Sequence, residues 1–259
     1  MAETPSTLAG FRTAIDSVDD QLLALICERA RLAKAVGHLK EGSNAPVWRP
    51  EREAQIIKRL RQANEGPLAG ERIESIWREI VSGCREIERR LRVAFLGPSG
   101  TFSEIALLKQ FGHGVEPVSC SSIDEVFRLS LIFPGEEDFG IVPVENSSEG
   151  AVNRSLDLML QSALVISAEV SLPVKHNLLS QSTQLESIAK VCAHPQALAQ
   201  CAGWLDKHLA HAQRVPVSSN AEGARLASLS QDTAGIASEL AAGRYTLNIT
   251  RGSIQDDPH

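Results

Sequence analysis

The sequence predicts an all-helical segment over residues 1–91 followed by an α/β domain over residues 92–259. Three observations carry this reading. From Leu8 to Leu39, apolar residues recur at alternating spacings of three and four, the period of one helix face. After Leu91 the pattern changes to short apolar runs of strand length alternating with helical ones. The charge changes at the same place. Residues 1–92 hold 16 Lys and Arg against 14 Asp and Glu, whereas residues 93–259 hold 10 against 18, so the second part sets the net charge of −6.

The first helix follows from Leu8, Phe11, Ile15, Val18, Leu22, Leu25, Leu32, Val36 and Leu39, with Arg29 standing where the pattern calls for an apolar residue. Residues 41–47, with Gly42, Asn44 and Pro46, break it. A second helix fits 49–64 and ends at Glu65-Gly66-Pro67. A third fits about 69–91, with Ile73, Ile76, Trp77, Ile80, Cys84 and Ile87 on one face. The first helix would be ~50 Å long and its successors only ~25–35 Å. They cannot cover its apolar stripe, so an intertwined homodimer is expected.

In the second part, strands are expected at 92–96, 115–119, 139–144, 163–171, 190–193, 214–217 and 234–237. Helices are expected at 105–111, 122–132, 152–161, 195–209 and 220–229. Such alternation implies a largely parallel sheet, with ligands at the carboxyl ends of strands. The 157–182 stretch reads as a crossover between two lobes.

Composition narrows the class. Hydrophobic residues make up 43% and charged residues 22%, which excludes collagen-like, low-complexity and disordered chains. No apolar run approaches the roughly 20 residues of a membrane span, and the acidic, polar start has no leader pattern, so a cytosolic protein is expected. Cys27, Cys84, Cys120, Cys192 and Cys201 are scattered without CxxC spacing. They read as reduced thiols, and no metal or cofactor is expected. The basic residues are interleaved with acids and few aromatics, which argues against nucleic acid.

Arg29 and Lys40 are eleven residues apart, so they share a helix face with ~16 Å between their Cα atoms and can reach one ligand between them. Arg12 lies ~25 Å along the helix from Arg29, too far to join them except across a dimer axis. Cys84 and Glu88 stack as i and i+4, and Arg52 and Glu53 open the second helix. Taken singly, such residues are ordinary solvated charges and helix pairs.

Their order, Arg12, Glu28-Arg29, Val36-Gly37-His38-Leu39-Lys40, Pro46-Val47, Arg52-Glu53, Cys84 and Glu88, resembles the all-helical chorismate mutase domain over residues 8 to 90. The resemblance implies an interlocked helical dimer in which Arg12 crosses into the partner's site. It implies that Arg12 and Arg29 clamp the two carboxylates of chorismate, as planar guanidinium forks suit. Lys40 would donate to the breaking ether oxygen, and Arg52 and Glu53 would orient the ring and its hydroxyl. Some relatives have Ser and Gln where Cys84 and Glu88 stand. Thiol is the weaker donor, so Cys84 is expected to be a wall residue. Glu88 can donate to the ether oxygen only when protonated, so either its pKa is raised or activity falls as pH rises.

The second part carries four motifs: Gly97-Pro98-Ser99-Gly100-Thr101-Phe102-Ser103-Glu104 between strand and helix, Val142-Pro143-Val144-Glu145-Asn146-Ser147-Ser148-Glu149-Gly150 after a strand, Ala193-His194-Pro195-Gln196, and Ser218-Ser219-Asn220-Ala221-Glu222. The first directs unpaired amides and a helix dipole outward, a natural carboxylate seat. The last also reads as an N-cap box, with Ser219 as the cap and Glu222 three residues on.

In this order the motifs resemble prephenate dehydratase from Val93 onward. The resemblance implies a two-lobed α/β domain like that of solute-binding proteins, which converts prephenate to phenylpyruvate. Ser99, Gly100, Thr101 and Ser147 would bind substrate carboxylates, and Asn146 and Gln196 would hydrogen-bond the substrate. Glu145, His194 and Ser219 would line the cleft. The family's general acid is a threonine in a Thr-Arg-Phe tripeptide, whereas here Thr250-Arg251 is followed by Gly252. The expectation is therefore a chain that ends before that tripeptide and before the regulatory domain, with weakened dehydratase activity and no response to phenylalanine. A carboxylate-sensing domain without catalysis is the alternative for this part.

Overall fold

The apolar period of three and four is realised as one continuous helix, α1 (Leu8–Lys40), followed by α2 (Pro50–Gln62) and α3 (Gly70–Glu88). The computed structural model describes residues 6–40, 48–132, 139–146 and 150–257. The break expected at 41–47 lies outside the described residues. Proline in the first turn, Glu51 and Glu53 beside it, and Arg59 and Arg61 in the last turn suit the polarity of α2.

The chain then runs β1 (Leu91–Leu96), α4 (Phe102–Phe111), β2 (Val115–Cys120), α5 (Ile123–Ile132), β3 (Phe139–Ile141), β4 (Glu145–Asn146), β5 (Gly150–Ala151), α6 (Asn153–Gln161) and β6 (Asn177–Ser180). After a 3-10 turn at Leu185–Ser187 come β7 (Lys190–Ala193), α7 (Pro195–Gln200), α8 (Ala202–His208), β8 (Gln213–Pro216), α9 (Asn220–Ala227), β9 (Thr233–Ala237), α10 (Glu239–Tyr245) and β10 (Asn248–Arg251). One sheet has the order β2-β1-β3, with β1 and β3 parallel. A second has the order β10-β6-β9-β7-β8. Its core gathers Leu178, Ile188, Val191, Leu205, Ile236 and Ile254.

Three expectations need correction. The second sheet is mixed, because β6 runs antiparallel to both β9 and β10, while β7 is parallel to β8 and β9. The strand expected at 163–171 is irregular chain. Val165 and Ile166 there are 84% and 72% exposed, and an apolar run makes a strand only where a neighbouring strand meets it. The single helix expected at 195–209 is two helices meeting at Cys201. There Asp256 accepts from the Gly203 and Trp204 amides at 2.7 and 2.8 Å and starts the second.

The chain parts into two units, and the division is not a single cut. The first comprises residues up to Leu91 together with Phe111–Glu116, and the second comprises Arg92–Gln110 with Pro117 onward. Within the first unit the Phe111 ring lies 4.8 Å from that of Trp48. The Gly114 amide donates to Ser82 Oγ at 2.9 Å. Gly112, at φ +72, is pressed so close to Ser82 that a Cβ would stand 2.5 Å from the serine's own.

Candidate active sites

The helical unit collects polar side chains at the end of α1 and the last turns of α3. His38 and Lys40 close α1, where the helix dipole favours cations. Lys40 Nζ donates to Glu88 Oε1 at 3.0 Å, with the two side chains 23% and 12% exposed. A Cβ on Gly37 would stand 2.7 Å from Glu88 Cγ, so the absence of a side chain lets the Glu88 stem lie against α1. Cys84, one turn earlier on α3, is buried, and Arg29 is half-buried on α1.

Glu53, in the first turn of α2, accepts from Arg85 Nη1 at 2.5 Å, and Arg85 Nη2 donates to the Phe111 carbonyl at 2.5 Å. Arg12 and Arg52 are exposed. The structure thus brings Lys40 and Glu88 into contact and ties Glu53 to Arg85, while Arg12 stays near the far end of α1. Sequence reasoning names Gly37 only within its motif, without a role, and misses Arg85. A glycine inside a helix costs about 1 kcal/mol relative to alanine, and that cost was the available signal for Gly37. Arg85 had only its place beside Cys84.

In the second unit the carboxyl ends of β1, β3, β7 and β8 lead into the four motifs. Gly100 sits at φ +93 in the turn after β1, where a Cβ would stand 3.4 Å from that of Ala241 and 3.6 Å from that of Ala221. Its amide donates to Glu104 Oε2 at 2.5 Å and its carbonyl accepts from Ser238 Oγ at 2.8 Å. Glu104, 3% exposed, also accepts from Arg244 Nη2 at 2.8 Å. The chain's own carboxylate therefore fills part of the seat expected for a ligand's. Thr101 Oγ1 donates to the Leu96 carbonyl at 3.1 Å, and Ser99 is half-buried beside it.

His194 caps α7, its Nδ1 accepting from the Gln196 amide at 3.3 Å, and its own amide donates to Asn220 Oδ1 at 3.0 Å. Ser219 Oγ accepts from the Glu222 amide at 3.0 Å and caps α9. The Arg225 fork holds the Glu222 carboxyl below its usual range. Asn146 lines a pocket of about 160 Å³ with Val174, His176, Gln200, Gln255 and Asp256. Glu145 is exposed next to it, and Ser147 lies outside the described residues.

Burial pushes the Cys192 thiol up and the Cys201 thiol to about 12, which leaves neither suited to nucleophilic work. Burial lowers the pKa of His176, against the opposing effect of its 2.7 Å hydrogen bond to Gln200. Among the described residues, no three His, Cys, Asp or Glu side chains are grouped to hold a metal ion. No helix among them is long and apolar enough to cross a membrane.

Comparison with known proteins covers both units. The family model for chorismate mutase type II matches residues 11–89, and that for prephenate dehydratase matches residues 93–259. A bifunctional chorismate mutase/prephenate dehydratase of Stutzerimonas stutzeri is 45% identical over 97% of this chain and 70% of its own length. One of Pseudomonas aeruginosa is 44% identical with the same coverage. A solved structure of prephenate dehydratase in complex with L-Phe, from Arthrobacter aurescens, is 34% identical with a TM-score of 0.57. It covers 65% of this chain and 57% of that one.

Proposed function

The chain belongs to the bifunctional chorismate mutase/prephenate dehydratase family of phenylalanine biosynthesis, and from that premise we propose how its residues divide the two reactions. The carboxylate-sensing alternative for the second part is not favoured, because the dehydratase family model runs through that whole part.

The chorismate rearrangement is pericyclic and needs no nucleophile, so the protein's work is to hold the compact conformer and to stabilise charge growing on the ether oxygen. Arg29 and a partner's Arg12 clamp the carboxylates. Lys40 faces the ether oxygen, Arg52 and Glu53 orient the ring hydroxyl, and Cys84 forms part of the wall. The observation that carries this reading is the Lys40–Glu88 contact at 3.0 Å, which joins the two helices the site needs. In the unliganded geometry Glu88 accepts from Lys40. As a carboxylate it cannot donate to the ether oxygen, whereas a glutamine can accept from Lys40 and donate at once. Glu88→Gln, whose amide can donate to the ether oxygen at any pH, is therefore expected to make mutase kcat/KM less dependent on pH than the parent's. An unchanged profile removes Glu88 from this role.

For the dehydratase, Ser99, Gly100, Thr101 and Ser147 seat the prephenate carboxylates. Asn146 and Gln196 hydrogen-bond the substrate, with Glu145, His194 and Ser219 around them. Loss of the ring hydroxyl with CO2 needs an acid at the leaving group, and approach to aromaticity supplies much of the driving force. The mutase helices pair with a second copy of the chain. Five free cysteines fit a reducing compartment, the cytosol.

A further inference from the structure

We propose that Arg85 is a positioning residue of the mutase site, acting through Glu53 and anchored on a backbone carbonyl that comes from beyond the third helix. The inference rests on the reading of Glu53 as a contact for the ring hydroxyl. Arg85 is 5% exposed, a rare state for an arginine. Its guanidinium splits between two acceptors, Glu53 Oε1 and the Phe111 carbonyl, each at 2.5 Å. Its Nε is buried with no partner among the described residues. Glu53 is thus the countercharge of a buried cation, and the Phe111 carbonyl sets the cation's direction.

That carbonyl is itself well held. The Phe111 ring packs on Trp48, two residues before α2 begins. Gly112 and Gly114 press on Ser82, one turn before Arg85 on α3. A glutamate on the first turn of a helix has three side-chain torsions to settle. Here one oxygen is committed to Arg85, which leaves Oε2 as the oxygen to accept from a ligand hydroxyl in a fixed direction. A cation that only filled space would not need to face Glu53, one of the two acids in the first turn of α2.

The test is a double-mutant cycle on chorismate turnover by the full chain, with Glu53→Gln, Arg85→Gln and both together, and with Arg85→Lys as the milder variant. Circular dichroism melting checks each fold. The expected result is that Arg85→Gln lowers kcat/KM about tenfold, chiefly through KM, and that the double variant is no worse than Glu53→Gln alone. Arg85→Lys, which keeps the charge without the fork, falls between, and it carries the cycle if Arg85→Gln does not fold. Losses that add, or a fall in kcat alone with KM unchanged, overturn the proposal and leave Arg85 a structural residue. A Glu53→Gln variant as active as the parent instead overturns the reading of Glu53, and the positioning role with it.

Discussion

Gly37 shows what one missing side chain does at a site. Alanine there would favour the helix by up to about 1 kcal/mol, yet its Cβ would stand 2.7 Å from Glu88 Cγ, well inside the 3.4 Å where ordinary contact begins. The Glu88 stem would have to move, and with it the oxygen that Lys40 holds at 3.0 Å. Gly37→Ala is therefore expected to lower mutase kcat/KM about tenfold with a melting temperature at or above the parent's. Steady-state kinetics beside a melting curve checks this, and unchanged kinetics would show that Glu88 has another rotamer that serves. Much of this was legible beforehand, because the spacing that stacks Cys84 under Glu88 is visible in sequence. What makes room for Glu88 was not, because a glycine that accommodates another helix reads the same as one that merely weakens its own. The cap residues reverse the case. Ser219 followed by Glu222 spells a capping box, and its oxygen does accept from the Glu222 amide.

Whole elements were legible where one periodicity governs them and obscure where polar groups interrupt it. The α1 pattern runs for 33 residues, and the helix follows it to its predicted end. β6 offers only Leu178 and Leu179 between Asn177 and Ser180, yet all four residues are buried and the strand lies inside the second sheet. Its polar ends are satisfied across the sequence: Asn177 Oδ1 accepts from the Ser253 amide at 3.0 Å, and the Ser180 and Thr250 hydroxyls lie 2.8 Å apart. No local signal announces such partners. His176, just before β6, is 4% exposed, and burial holds its pKa below the usual 6.5. The folded chain therefore refuses a proton that the unfolded chain accepts. Stability is full above about pH 6.5 and is lost as pH falls through that value toward the folded pKa. Urea unfolding between about pH 7.5 and pH 5 is expected to show a steeper acid loss for the parent than for His176→Asn, whatever the variant's starting stability. Equal slopes would mean that His176 takes up its proton without unfolding.

At the scale of the molecule, the exposed apolar face of α1 is where the proposed completion of the mutase site by a second copy can be tested. None of its 33 residues is buried, and Phe11, Ile15, Val18, Leu22, Leu25 and Leu32 are each at least 47% exposed. An apolar stripe of that length on a helix ~50 Å long exceeds what α2 and α3, at 13 and 19 residues, can cover. A second copy laid antiparallel would cover it and would carry Arg12 from the start of one helix toward Arg29 of the other. The consequence is countable. With Arg12→Ala and Arg29→Ala variants each inactive, mixing them at equal concentration and allowing exchange gives about half heterodimers by random pairing. In each heterodimer, one site has its own Arg29 and the partner's Arg12 intact, while the other lacks both. Activity should recover to about one quarter of the parent's, measured as chorismate consumed per total chain. If Arg12 served the site of its own chain, every site in the mixture would lack one arginine and no activity would return, and the crossed arrangement would be wrong.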